Sequence, residues 1–250
     1  TLAALSAATT AAAQPAGSFP ASIDPATIDG TNGFVINGIQ ATDSIGETVS
    51  GAGDLNNDGI MDILLGSNFI DRSGLNDVGE AYVIFGKPYD AVASFELSSL
   101  NGSTGFSVRG QLAGDTFAGF VSTAGDVNGH TVDDIVIGAL ASDPSGNQSA
   151  GRTYVIFGSA LPFGSSFNLN ALNGTNGFSV LGINSFDQSG RRVSNAGDLN
   201  GDGVDDLLIA APSADPAAGP NAGECYVVYG ISTGFPSQIS LSTLNGTNGF

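Results

Sequence analysis

A fixed 72-residue register runs through the chain and constrains its fold more than any other feature. Gly33-Phe34, Gly105-Phe106, Gly177-Phe178 and Gly249-Phe250 each stand 72 residues apart. The run Tyr82-Val83-Ile84-Phe85-Gly86 returns as Tyr154-Val155-Ile156-Phe157-Gly158 and as Tyr226-Val227-Val228-Tyr229-Gly230, and Ala-Gly-Asp recurs at Asp54, Asp126 and Asp198. No insertion or deletion interrupts the register, so three units and a leading part-unit fill the 250 residues. A period of this kind fixes the architecture as a repeat array.

Within a unit the apolar runs are short, β-branched and bounded by Gly, Asn, Asp and Pro, which is the pattern of strands. In the first unit they predict strands near Thr48 to Asp54, Asp62 to Ser67, Glu80 to Gly86 and Gly105 to Gly110. The 37 glycines, twice the ~7% of an ordinary domain, agree with many tight turns. Four strands every 72 residues describe an all-β β-propeller of four-stranded blades. A sandwich does not repeat its own sequence in register, and a β-helix needs a much shorter period.

The segment SGRRVSNAGDLNGDGVDDLLIAAP, from Ser189-Gly190 to Ala211-Pro212, and its counterparts beginning near Ile45-Gly46 and Phe117-Ala118, resemble the FG-GAP repeat family. That family supplies the blades of the integrin alpha-subunit propeller and its bacterial relatives. The resemblance covers residues 33 to 250. Only the third unit keeps the Ala-Pro ending; the others carry Gly66-Ser67-Asn68 and Gly138-Ala139-Leu140. It implies a ring of about seven blades in which strand four is outermost, which at this period needs about 500 residues. On that expectation the chain is a fragment holding about three blades. A closing strand lies near 33–39, units follow near 40–111, 112–183 and 184–250, and residues 21–250 form one propeller domain. Residues 1–20 read as the tail of a secretory signal, ending in Ala11-x-Ala13, or as an Ala-rich linker.

The densest acidic clusters fall between strands one and two of each unit. Asp54, Asn56, Asp58 and Asp62 place oxygen side chains at positions 1, 3, 5 and 9 of a nine-residue loop, with Gly59 at 6 and the carbonyl of Ile60 at 7. Asp198, Asn200, Asp202, Val204 and Asp206 repeat the set. Calcium is a hard cation that takes six to eight oxygens, and alternate positions of a tight loop turn those oxygens inward. Several carboxylates in nine residues also repel one another unless a cation is present. Position 12 carries Leu65, Ile137 or Ile209, not the Glu of an EF-hand, so this is a hairpin calcium loop, as the family resemblance also implies. The middle loop, Asp126, Asn128, Val132 and Asp134, is expected to bind weakly, because His130 takes the place of Asp58 and Thr131 that of Gly59.

Other chemistries are disfavoured. Six Lys+Arg against 24 Asp+Glu, a formal net charge of -18, cannot furnish the cationic patch that nucleic acid or an anionic membrane needs. No apolar run approaches the ~20 residues of a membrane span. The single histidine, His130, takes the slot of Asp58 and Asp202 and reads as a decayed loop position, the single cysteine, Cys225, falls in a column of small residues with Ala81 and Thr153, and no nucleophile elbow occurs. Two further acidic columns, Asp43, Asp115, Asp187 and Asp71, Asp143, Asp215, recur in every unit, whereas a catalytic carboxylate pair is unique; they are expected to cap turns and strand ends. The sequons at Asn101, Asn173 and Asn245 sit in the recurring turn before Gly-Phe, with a fourth at Asn147.

The expectation is a secreted or cell-surface calcium-binding propeller without catalytic activity. It would be a binding or adhesion module of a bacterial-type protein, meeting an unidentified protein or glycan ligand at a propeller rim. The loops after Asp71, Asp143 and Asp215 vary most and are the candidate ligand loops. The alternative is the propeller portion of a larger secreted enzyme whose catalytic domain lies elsewhere.

Overall fold

The computed structural model describes residues 22–88 and 92–250, so the Ala-rich segment of residues 1–20 lies outside the described residues. A short strand β1 (Val35–Asn37) leads. The first unit follows with β2 (Thr48–Gly53), β3 (Asp62–Ser67), β4 (Glu80–Ile84), β5 (Ser94–Glu96) and β6 (Gly105–Arg109). The second has β7 (Phe117–Gly125), β8 (Asp134–Ala139), β9 (Arg152–Ile156), β10 (Ser166–Phe167) and β11 (Gly177–Leu181). The third has β12 (Arg192–Gly197), β13 (Asp206–Ala211), β14 (Glu224–Val228) and β15 (Gln238–Ser240). The four strands expected of the first unit all form, each ending within two residues of its expected bounds.

The sheets run in the orders β10-β6-β4-β3-β2 and β15-β11-β9-β8-β7, flanked by the pair β1-β5 and the triplet β12-β13-β14. Neighbours within a unit are antiparallel, whereas β1/β5, β6/β10 and β11/β15 are parallel. Each complete sheet therefore has five strands, one more than the four expected per blade, and the fifth belongs to the following unit. These extra strands are only two or three residues long, too short for alternation to announce them. A 3-10 turn follows each within two residues, and its first residue, Leu97, Leu169 or Leu241, is buried.

The core lies between successive sheets. The central strands β4 and β8 are buried along their whole length, which explains their near-continuous apolar sequences. One cluster joins Leu64, Val83 and Phe106 of the first unit to Val121, Ile135 and Ile156 of the second. Another joins Val136, Val155 and Phe178 to Val193, Leu207 and Val228 of the third. Each such side chain contributes about 1.5–3 kcal/mol when fully buried. The aromatic packing obeys the repeat: Phe163 stacks on Phe106 with ring centres 4.5 Å apart, and Phe235 on Phe178 at 4.1 Å. The Gly-Phe column thus marks where a loop of the next unit docks.

Candidate metal centre

The hairpins β2-β3, β7-β8 and β12-β13 carry the three acidic loops at equivalent places. In the first loop Asp54 accepts hydrogen bonds from the N–H groups of Asp58 (2.9 Å) and Gly59 (2.8 Å), one on each oxygen. Asn56 Oδ1 accepts from Asp58 N–H at 3.0 Å, Asp58 Oδ1 from Ile60 N–H at 2.9 Å, and the Asn56 amide donates to Asp58 Oδ2. Asp62 is buried and accepts from the N–H of Leu55 within the loop and of Gly86 after β4. The third loop repeats this set through Asp198, Asn200, Asp202 and Asp206, with Leu199 and Gly230 as the donors to Asp206.

The middle loop departs where its sequence does. Asp126 still holds the N–H groups of His130 and Thr131. His130 is exposed and offers no carboxylate to the amide of Asn128, which turns to the buried Asp134 at 3.2 Å. Position 6 has φ of +87° at Gly59 and +88° at Gly203, and Thr131 is forced to +66°. A β-branched residue in that region is strained.

Burial is the main electrostatic fact at position 9. It pushes the carboxyl of Asp62 up to about 6 and that of Asp134 up to about 8, with the loop's other carboxylates adding to the rise and hydrogen bonds from backbone N–H groups opposing it. At the exposed mouth the N–H groups of Gly203, Gly201 and Asp202 hold the Asp198 carboxyl below its ordinary range. Among the described residues, no three His, Cys, Asp or Glu side chains stand ready to grip a metal ion as placed. The carboxylates are turned to backbone donors, yet in the first loop each oxygen of Asp54, Asp58 and Asp62 accepts a single hydrogen bond and keeps a further lone pair. In the first and third loops the donor set is all oxygen and ends in a buried carboxylate, Asp62 or Asp206, which fits a hard cation.

Sequence reasoning missed position 8. Asp133 accepts from the N–H of Asp54 at 2.8 Å, and Asp205 from the N–H of Asp126 at 3.0 Å, so the first and second loops are each held by the next unit. The next unit also covers these two loops: Ser159 N–H donates to Leu55 O and Ile231 N–H to Val127 O, leaving Leu55 and Val127 fully buried, whereas the equivalent Leu199 of the third loop is exposed.

The remaining acidic columns do structural work. Asp71, Asp143 and Asp215 each accept from the N–H six residues on, at 2.8, 2.7 and 2.6 Å. Asp43 and Asp187 accept from the N–H three residues back. Arg72 also binds Asp43 at 2.7 Å and reaches Glu80 at 3.2 Å. Asn101, Asn173 and Asn245 use their side-chain oxygens to close the turn before Gly-Phe, and Asn147 donates its amide to Ile183 O. Cys225 is a free thiol on β14. No helix among the described residues is long and apolar enough to cross a membrane.

Residues 189–228, which span the third acidic loop and β12 to β14, match the FG-GAP repeat. The chain is 31% identical over 121 residues to phosphatidylinositol-glycan-specific phospholipase D of Mus musculus, covering 46% of this chain and 13% of that protein. It is 28% identical over 141 residues to integrin alpha-PS2 of Drosophila melanogaster, covering 54% of this chain and 9% of that protein. The matched segments are thus small parts of both relatives. Residues 189–228 thus carry an FG-GAP repeat, and the chain is distantly similar to an integrin alpha subunit and to a phosphatidylinositol-glycan-specific phospholipase D.

Proposed function

We propose that the chain is part of a calcium-stabilised β-propeller that acts as a non-catalytic binding or adhesion module of a secreted or cell-surface protein. The sheets are its blades, and each unit lends a strand to the outer edge of the sheet before it. The observation that carries the reading is the thrice-repeated acidic loop, whose last carboxylate is buried without a cationic side chain in hydrogen-bond contact. Asp54, Asn56, Asp58, the Ile60 carbonyl and Asp62 would hold one ion, and Asp198, Asn200, Asp202, the Val204 carbonyl and Asp206 another. Asp126, Asn128, the Val132 carbonyl and Asp134 would form a weaker site. When bound, the ion offsets the mutual repulsion of the carboxylates and ties the ends of the two hairpin strands together.

A second reading is favoured by the similarity to a phospholipase D: the propeller accompanies a catalytic domain of a larger secreted enzyme. In both readings this portion binds and does not turn over substrate, and a protein or glycan ligand would meet the variable loops after Asp71, Asp143 and Asp215.

Thermal unfolding with and without a chelator tests the calcium assignment. Binding adds RT ln(1+[L]/Kd), about 2.7 kcal/mol per site at 100 times Kd, so chelation should lower the midpoint clearly. An unchanged midpoint in a sample verified to be free of metal would remove calcium from the account. Reproducible hydrolysis of glycosides, phosphoesters or peptides by the chain itself, abolished by Asp115→Asn, would overturn the non-catalytic reading.

A further inference from the structure

A polar cleft of about 160 Å³ opens between the second and third units, away from the acidic loops. One wall is a row across three adjacent strands: Tyr154 on β9 is paired with Ser179 on β11, which is paired with Gln238 on β15. In-register neighbours point to the same face of a sheet, so the three side chains stand side by side. Arg152, two residues before Tyr154, shares that face, with its guanidinium 5.8 Å from the centre of the Tyr154 ring. The opposite wall carries Gln111, which accepts from Tyr154 Oη at 3.2 Å and donates to Asn170 Oδ1 at 2.8 Å.

Three donors line this cleft, and one of them is buried without an acceptor. Arg152 Nε is buried and has no hydrogen-bond partner; its guanidinium touches the Tyr154 hydroxyl and its charge reaches Asp115, but among the described residues it forms no ion pair. Asn170 lines the cleft from its exposed side, with its oxygen taken by Gln111 and its amide N–H groups unbonded, and Ser179, only 3% exposed, adds a hydroxyl. A buried donor without an acceptor costs about 1–3 kcal/mol, so an acceptor is wanted.

The repeat provides an internal control. The column of Arg152 holds Glu80 and Glu224 in the other units, that of Gln111 holds Ile39 and Ile183, and that of Asn170 holds Ser98 and Ser242. Glu80 is satisfied internally by Arg72 and Tyr82, and Glu224 by Tyr226. Only the middle unit reverses the charge and surrounds it with amides. A planar acceptor carrying negative charge is the natural partner of a guanidinium fork, and a 150 Å³ cavity elsewhere holds a molecule of benzene size. We propose that this cleft binds a carboxylate group, with Arg152 as its anchor and Asn170 and Ser179 as hydrogen-bond donors. The inference does not depend on calcium in the loops.

Amide and side-chain NMR of the whole chain, titrated with sodium propionate and with propionamide as the uncharged control, tests it. Saturable shifts centred on Arg152, Ser179 and Gln238 are expected with propionate alone. Arg152→Glu, the residue of the sister units, should abolish them. Gln111→Ile, also a sister residue, should weaken binding about tenfold in a chain that still unfolds cooperatively. A capped glutamate dipeptide separates the two sources of the group: binding as tight as propionate identifies an acidic side chain of a partner, and binding of propionate alone identifies a free small acid. No saturable shift, an equal response to propionamide, or full retention of binding by a folded Arg152→Glu would overturn the proposal.

Discussion

The Asp133 carboxylate reaches across a unit boundary to accept the backbone N–H of Asp54, 79 residues earlier, at 2.8 Å. Asp205 does the same for Asp126. The residue beside the last proposed ligand of one loop thus fixes the first proposed ligand of the loop before it, and the candidate calcium loops are linked in series. Asp133→Ala should free the Asp54 N–H, destabilise the fold by about 1 kcal/mol and weaken calcium at the first loop while leaving the third unchanged. Thermal unfolding together with a calcium titration checks this, and a variant unchanged in both would mean that the link carries no energy.

The same contact explains why glycine precedes the first Asp in the first two units. Gly53 and Gly125 have φ of +73° and +68°, and a Cβ at either would run into the carboxylate of Asp133 or Asp205. Gly197 has a similar φ of +67° but open space around it. Gly197→Ala should therefore cost only the backbone strain, about 1–2 kcal/mol. Gly53→Ala and Gly125→Ala should cost more, because the link must also break. Equal losses in a denaturant series would show that the close approach is unimportant.

The sequence revealed what recurs uniformly and hid what does not. The strands and the nine-residue loops were legible because each column repeats three times at a spacing of 72. Position 8 was not, since Met61 stands where Asp133 and Asp205 follow, so no acidic column announces the link. The parallel fifth strands escaped because their stability comes from the preceding unit and not from any pattern within two or three residues. The polar cleft is unreadable for the opposite reason: Gln111, Arg152 and Asn170 break their columns, and only the fold brings them together.

One repeat column predicts opposite responses to pH. Arg72 hydrogen-bonds Asp43 and holds its carboxyl below the ordinary range, although burial opposes this and Gln40 N–H assists. Asp43 thus adds stability above about pH 4, and that contribution fades as pH falls through its lowered value. Asp115 is the reverse case. Burial, with some repulsion from Asp143, raises its carboxyl despite the Ser142 hydrogen bond and the Arg152 charge. Its charged form opposes folding, so stability rises as pH falls through the raised value. Asp43→Asn should lower the melting midpoint at pH 7 and flatten the acid limb, whereas Asp115→Asn should leave the midpoint level or raise it. Melting curves from pH 3 to 8 check the pair; a drop in both at pH 7 would mean that hydrogen-bond geometry outweighs charge at Asp115.

The middle loop should be the weakest of the three, for two separable reasons. Thr131 sits at φ +66° where its sister units have glycine, a strain of about 1–3 kcal/mol that Thr131→Gly would release without any metal present. His130 supplies an imidazole where Asp58 and Asp202 supply carboxylates, and it leaves the Asn128 amide bound to the proposed position-9 ligand Asp134. His130→Asp should draw that amide back to position 5, as Asn56 and Asn200 already are. Thr131→Gly alone should therefore raise the melting midpoint under chelator with little change in calcium stoichiometry. His130→Asp alone should raise affinity modestly, because the strained turn remains. The double variant should add one strong site to the two at Asp54 to Asp62 and Asp198 to Asp206, counted by isothermal titration. Three equivalent strong sites in the unsubstituted chain would show that neither His130 nor Thr131 limits the middle loop.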